Sequence, residues 1–184
     1  MIDVTVLDEY SVPSYHAVLG FPTHGSKVLL ARKKDKIGKG LWNGYGGKMG
    51  DGENCPEAFF REWQEESAGT AVVWQRLCRM GILKSYNFDE AGVLQNVWHV
   101  HVLVAEIEDL IAVPESQEMG EGYWFDQRLL PFEEMIPSDQ VWLSHIFEGV
   151  PVQASLYHGP GQREMVAESK IQLKGRGVMM SYQF

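Results

Sequence analysis

Apolar and polar positions along the chain fall into short runs separated by glycine-, proline- and acid-rich breaks. Residues 15–21 and 27–31 read as two strands joined by the turn-like Pro22-Thr23-His24-Gly25. The second strand runs into Arg32-Lys33-Lys34, and seven glycines then crowd residues 38–52. Such a loop suits a place where backbone must approach something closely. Asn54 is a candidate helix cap, with Pro56 in the first turn and Glu57 at the positive end. Ala58, Phe59, Trp63 and Ala68 carry the apolar face of that helix through about Ser67. Residues 72–86 and 93–107 have the β-branched and aromatic content of two long strands, with Asn87-Phe88-Asp89-Glu90 as their connection. A short strand is expected over 121–126, a helix over 140–147 begun near Ser138 or Asp139, and a strand over 152–157. This order predicts an α+β fold, an α/β/α sandwich with a mixed sheet. The 184 residues suit one domain, with its core over about 14–158. Residues 159–184, locally basic with Arg163, Lys170, Lys174 and Arg176, are open to two readings: a last strand plus a flexible end, or an oligomer contact.

Composition narrows the function classes. Hydrophobic residues make up 45% of the chain and charged residues 22%, which fits a packed protein and not a disordered one. No window approaches a membrane span, and residues 1–10 carry three acids and no base, the wrong chemistry for a targeting segment. Cys55 and Cys78 lack metal-type spacing, so a reducing cytoplasm is expected. A net charge of −9 argues against a general nucleic-acid binder. It leaves room for a small phosphate substrate, because clustered carboxylates can hold a cation that supplies positive charge locally.

The informative segment is GKMGDGENCPEAFFREWQEESAG, residues 47–69. Glu62, Glu65 and Glu66 stand at i, i+3 and i+4, on one helical face. An acidic face alone is usually just solvated. Here a glycine loop leads into it, bringing backbone carbonyls and carboxylates to one point, and a hard divalent cation would reverse the repulsion. A Walker-type phosphate loop does not fit: Trp42 stands five before Gly47, and Met49 follows Lys48. No Ser-His-Asp or Cys-His arrangement suggests a covalent mechanism.

The segment resembles the Nudix box, whose pattern Gly47, Glu53, Arg61, Glu62, Trp63, Glu65 and Glu66 meet at the required spacings. One departure is Ala68, where the pattern has its last glycine; Gly69 follows. The resemblance implies metal-assisted attack of water on phosphorus, with Mg²⁺ as cofactor and Mn²⁺ as substitute. Glu62, Glu65 and Glu66 would hold the metal, with Glu62 also a possible base. Arg61 would orient a box carboxylate, and Gly46 or Gly47 would offer a carbonyl. Glu118, with Glu115 behind it, is the candidate carboxylate from outside the box.

The stretch GLWNGYGGK, residues 40–48, is similar to that of family members clearing oxidised purine nucleoside triphosphates. The resemblance implies that Asn43 contacts a purine, that Lys33 and Lys48 lie near the substrate, and that His16 aligns with a contact position. It also implies that Ile136, Ser138 and Asp139 occupy the recognition segment, with helix capping the alternative role for Asp139. Where that group has Trp-Pro-Asp-Asp, this chain has Ile136-Pro137-Ser138-Asp139, losing a stacking ring and a carboxylate. The expected activity is hydrolysis of a purine nucleoside triphosphate, 8-oxo-dGTP included, to monophosphate and pyrophosphate. Competing readings are dinucleoside polyphosphates, sugar nucleotides or capped RNA as substrate, or a non-catalytic nucleotide sensor. His99 and His101 share one strand face, a spacing that could bind a metal but lacks a third ligand nearby in sequence.

Overall fold

In the computed structural model, residues 2, 4, 7–175 and 180–182 are described, with backbone only at 180 and 181. Arg176 of the basic tail and Met1 and Asp3 of the acidic N-terminus lie outside the described residues. The strands are β1 (Ser14–His24), β2 (Lys27–Arg32), β3 (Trp42–Asn43), β4 (Trp74–Phe88), β5 (Leu94–Ile107), β6 (Tyr123–Asp126), β7 (Val152–His158), β8 (Lys170–Leu173) and β9 (Met180–Tyr182). Two helices join them, α1 (Cys55–Glu66) and α2 (Asp139–Phe147). The strands form one mixed sheet ordered β3-β2-β1-β5-β4-β7-β8, with β6 beside β2 and β9 beside β4. β1 runs parallel to β5 and β4 parallel to β7; the other pairs are antiparallel.

Each helix covers one face, so the expected α/β/α sandwich is present. α1 sets Ala58, Phe59 and Trp63 against Val18, Leu29, Tyr45, Leu77 and Leu103. α2 sets Trp142, Leu143 and Ile146 against Phe21, Leu30, Met80, Val102 and Val152. Phe59 and Trp63 are each about 1% exposed or less. At roughly 150–250 Å² per ring and about 25 cal/mol per Å², each contributes several kcal/mol as an upper bound. Gly20 makes the α1 packing possible, because a Cβ there would fall 2.1 Å from the Phe59 ring. Among the described residues no helix is long and apolar enough to cross a membrane.

Several boundaries move for tertiary reasons. β1 continues through the expected turn Pro22-Thr23 to His24, because Pro22 and Thr23 pair with Ala105 and Glu106 of β5. The reversal falls instead at Gly25, which takes φ +56°. β4 likewise absorbs Asn87 and Phe88, since Phe88 is buried in a cluster with Tyr86, Val97 and Tyr157. The turn then begins at Asp89, whose carboxylate accepts from the Ala91 and Val93 N–H groups. The tail supplies β8 along β7 and β9 along β4.

Asn54 caps α1 as expected. Its side chain accepts from Glu57 N–H at 3.0 Å, and the Glu57 carboxylate accepts from Asn54 N–H at 2.9 Å, completing a capping box. At the other end Ala68 adopts φ +52° and Gly69 φ +72°. The left-handed position just past the helix is where the box pattern carries glycine, and alanine is strained there. Ala68→Gly is therefore expected to raise stability by about 1 kcal/mol in urea unfolding; a neutral or destabilising change would show that no strain resides at this cap.

Candidate active site

The site is built where α1 meets the loop after β3. That loop is laced to β1: Gly20 N–H donates to Tyr45 O at 2.7 Å, Val18 N–H to Gly47 O at 3.0 Å, and Met49 N–H to His16 O at 2.9 Å. The approach requires glycine at 46, where a Cβ would sit 2.2 Å from Val18 O. At Gly47 a Cβ would fall 2.6 Å from the Glu62 carboxyl carbon. Loop backbone and helix carboxylate are thus in direct contact.

The three box glutamates have different environments. Glu66 is 1% exposed. A buried carboxylate must be compensated, and Lys33 Nζ at 2.9 Å and Gly46 N–H at 2.7 Å do so. Burial nonetheless raises its pKa, against the opposing pull of Lys33. Glu62 accepts from Arg61 Nη1 at 2.7 Å. Glu65 faces outward, with Arg61 Nη1 at 3.6 Å. Arg61 also grips Glu53 through Nε at 2.7 Å and Nη2 at 2.9 Å, and donates to Lys48 O at 3.0 Å. It therefore ties the loop to the helix, and holds the Glu53 carboxyl down to about 2.

Glu118 and Glu115, from outside the box, line one shallow hollow together with Glu65, Lys34 and Ala68. Glu118 pairs with Lys36 at 3.0 Å and Glu115 with Lys34 at 2.7 Å. Among the described residues no three acidic, histidine or cysteine side chains already converge on one metal-sized point. Lys33 and Arg61 hold the carboxylates meanwhile. The donor set itself is all carboxylate and carbonyl oxygen, with Glu62 and Glu66 against the Gly46-Gly47 backbone, and fits a hard divalent cation.

Of the residues expected to contact the base, Ile136, Ser138 and Asp139 lead into α2, whereas Asn43 lies in β3. Asn43 pairs with Ala31 in β3, and its Oδ1 accepts from Gly44 N–H at 2.9 Å. Lys33 links the two regions. Ile136 Cδ1 lies 3.5 Å, and Lys33 Cγ 4.0 Å, from the position a Cβ at Gly38 would take. Ser138 precedes α2 but makes no capping hydrogen bond, and Asp139 is the first residue inside the helix, which replaces its expected role as a cap. Both are buried. Asp139 Oδ2 and Trp142 Nε1 are both buried without a well-formed hydrogen bond, although the indole stands beside the carboxyl. Desolvation pushes the Asp139 carboxyl up to about 8, opposed by a backbone hydrogen bond at Ile136 and by the Trp142 indole.

Lys48 and His16 are the other two residues expected near the substrate. Lys48 Nζ rests over the Tyr15 ring at 4.6 Å. His16 stacks on His99 and His101 across the β1–β5 pairing, with its Nδ1 3.4 Å from His101 Nε2. The third imidazole near His99 and His101 thus comes from a strand more than eighty residues away in sequence. Sequence reasoning passed over one group entirely: buried His158, which joins Ser138 to Ser85. Its only signal was a polar residue ending the otherwise apolar-alternating β7.

Lys33→Met keeps the aliphatic stem but strips Glu66 of its counter-charge. Urea unfolding should show a loss of about 3 kcal/mol, against less than about 1 kcal/mol for Lys36→Met at the exposed Glu118 pair. Equal losses would mean that Lys33 does not hold Glu66. For Asp139, the folded pKa of about 8 lies above an unfolded value near ~3.9. Its contribution is therefore full below about pH 4 and is lost as pH rises through about 8. The stability difference between wild type and Asp139→Asn should fall steadily across that window, and a flat difference would place an ionised carboxylate there.

Residues 14–148 match the NUDIX domain family. The chain is 34% identical over 116 residues to the oxidized purine nucleoside triphosphate hydrolase of Mus musculus and 33% identical over 116 residues to that of Danio rerio. Each alignment covers 63% of this chain and 69% of the relative. In fold it is similar to the crystal structure of the mutator MutT protein from Bacillus halodurans, with a TM-score of 0.62 and 22% identity over 85% of this chain and 97% of that one. Nudix hydrolases generally use divalent metal ions. The family match spans the whole region in which loop, box helix and recognition segment meet, and on that ground the chain belongs to the Nudix hydrolases.

Proposed function

We propose that the protein hydrolyses a purine nucleoside triphosphate to the monophosphate and pyrophosphate, with Mg²⁺ as its metal and oxidised purines such as 8-oxo-dGTP among its substrates. The observation that carries this reading is the junction of two groups through one lysine. Lys33 bonds Glu66 of the box on one side and approaches the Gly38–Ile136 contact of the recognition segment on the other. The similarity to oxidized purine nucleoside triphosphate hydrolases supports the choice of base.

Glu62, Glu65 and Glu66 would hold the ion, joined by Glu118 and a Gly46 or Gly47 carbonyl. Mg²⁺, or Mn²⁺ in its place, supplies neutralisation of phosphate oxygens and activation of the attacking water. The chain's own residues do the rest. Arg61 keeps Glu62 and Glu53 oriented, and Glu62 would be the carboxylate that accepts a proton from water. Lys33 offers a positive charge to the phosphates. Asn43 presents an amide, and Ser138 and Asp139 a hydroxyl and a mostly protonated carboxyl, to the purine edge. Ile136 supplies an apolar wall where a ring would stack in the relatives' pattern. A net charge of −9 suits a small substrate delivered with its metal better than a long nucleic acid.

The test is product release from 8-oxo-dGTP, 2-oxo-dATP, ordinary nucleoside triphosphates, diadenosine polyphosphates and sugar nucleotides, with Mg²⁺ and with chelator. Monophosphate and pyrophosphate from a purine triphosphate are expected, with oxidised forms favoured by about tenfold. Glu65→Gln and Glu66→Gln should each lower kcat by about 10²-fold or more, since several kcal/mol of charge stabilisation is removed. Turnover only of diadenosine or sugar nucleotides would move the substrate. No metal-dependent turnover of any member would make the protein a nucleotide-binding module.

A further inference from the structure

His158 is 2% exposed, and both of its ring nitrogens are engaged by hydroxyls. Nδ1 lies 2.9 Å from Ser85 Oγ on β4, and Nε2 lies 2.9 Å from Ser138 Oγ at the start of α2. Burial lowers the imidazole pKa to about 4, so the ring is neutral at physiological pH. A neutral imidazole donates through one nitrogen and accepts through the other. Which way round it stands is decided by the groups behind it.

Gln162, held at φ +58°, donates one amide hydrogen to Ser85 Oγ at 3.1 Å and the other to Asn87 Oδ1 at 2.8 Å. Asn87 in turn donates to Asn96 Oδ1 at 3.1 Å. Ser85 already accepts from Gln162, and the acceptor within reach of its own proton is His158 Nδ1. His158 must then carry its proton on Nε2 and donate to Ser138 Oγ. Ser138 receives that bond as an acceptor, which leaves its hydroxyl proton pointing onward. In the opposite tautomer Ser138 would donate to the ring and Ser85 would receive two donors, with no partner in the network for its own buried proton.

We infer that His158 is a positioning residue that determines specificity, by making the Ser138 hydroxyl a hydrogen-bond donor toward a nucleobase that offers an acceptor on the edge facing α2. The inference rests on the reading of Ser138 and Asp139 as the purine-facing pair. A second observation points the same way: in the next residue Asp139 Oδ2 is buried with no well-formed hydrogen bond, the Trp142 indole being its neighbouring donor, so it retains capacity to accept. Ile136, two residues earlier, sits against the Gly38 loop that Lys33 shares with the box.

Two measurements decide it. Long-range ¹H–¹⁵N correlation of the histidine rings reports the tautomer without any substrate: His158 is expected as the Nε2–H form, and the Nδ1–H form overturns the relay outright. Selectivity then tests its use, through kcat/KM for dGTP against 7-deaza-dGTP and the 2-aminopurine deoxyribonucleoside triphosphate, each altered at an acceptor. The larger wild-type preference should fall by about tenfold in His158→Phe, mainly through KM, and less in His158→Gln, which retains a donor and an acceptor. Mn²⁺ affinity, read by titration, should be unchanged in both variants. Unaltered ratios in the variants, with only a lower Tm, would make His158 structural and overturn the inference. If no triphosphate is turned over by wild type, the substrate reading fails and the tautomer alone still decides the relay. If His158→Phe does not fold, His158→Gln and the tautomer carry the test.

Discussion

A carboxylate buried to 1% exposure cannot stand alone, and the compensation of Glu66 organises the site around it. Lys33 arrives from the end of β2 and Gly46 from the loop after β3, and both bond the same side chain on α1. Three elements distant in sequence are thereby fixed to one another. The constraint propagates outward: Gly46 can reach Glu66 only because it lies against Val18 of β1, and α1 can reach the loop only because Gly20 admits the Phe59 ring. Removing any one of these close approaches would misplace a charge rather than merely loosen a contact.

Arg61 performs the complementary task on the exposed side. With hydrogen bonds to Glu53, Glu62 and Lys48, it converts a cluster of like charges into an ordered array. The molecule as a whole is strongly acidic, yet each acid at this junction has a defined cationic or N–H partner. Such partners can be exchanged for a harder cation without leaving a bare charge behind, because the oxygen donors are already preorganised by backbone and guanidinium. The box carboxylates on α1 and the Ser138–Asp139 segment leading into α2 then stand on opposite faces of the sheet, and Lys33, bonded to Glu66, runs its stem toward the Gly38 turn near Ile136.

The α2 side solves a different electrostatic problem. Here the polar groups are neutral: hydroxyls, amides, an unprotonated imidazole and a mostly protonated carboxyl. Neutral hydrogen-bonding groups tolerate burial far better than charges, and their directionality discriminates between ligands of similar size. On the proposed reading, Ile136 in place of the resembling group's aromatic residue would leave hydrogen bonding, rather than stacking, as the means of discrimination.

The order of strands and helices from β1 to β7, apart from the two-residue β3 inside the expected loop, the capping of α1 and the spacing of Glu62, Glu65 and Glu66 on one helical face were legible in the sequence. They depend on periodicities and spacings within about twenty residues, which local sterics enforce whatever the rest of the chain does. The departure at Ala68 was also visible, and its backbone strain follows from the same local rule. Other features were decided by tertiary structure. Pro22 and Phe88 sit in strands because long partners pair with or bury them, overriding turn propensity. Lys33 finds Glu66, His16 finds His99 and His101, and His158 finds Ser85 and Ser138 across separations of 20 to 85 residues. A lone polar residue carries no mark of its future partner, since the free energy of burying it is set by groups that only the folded sheet brings within hydrogen-bonding distance.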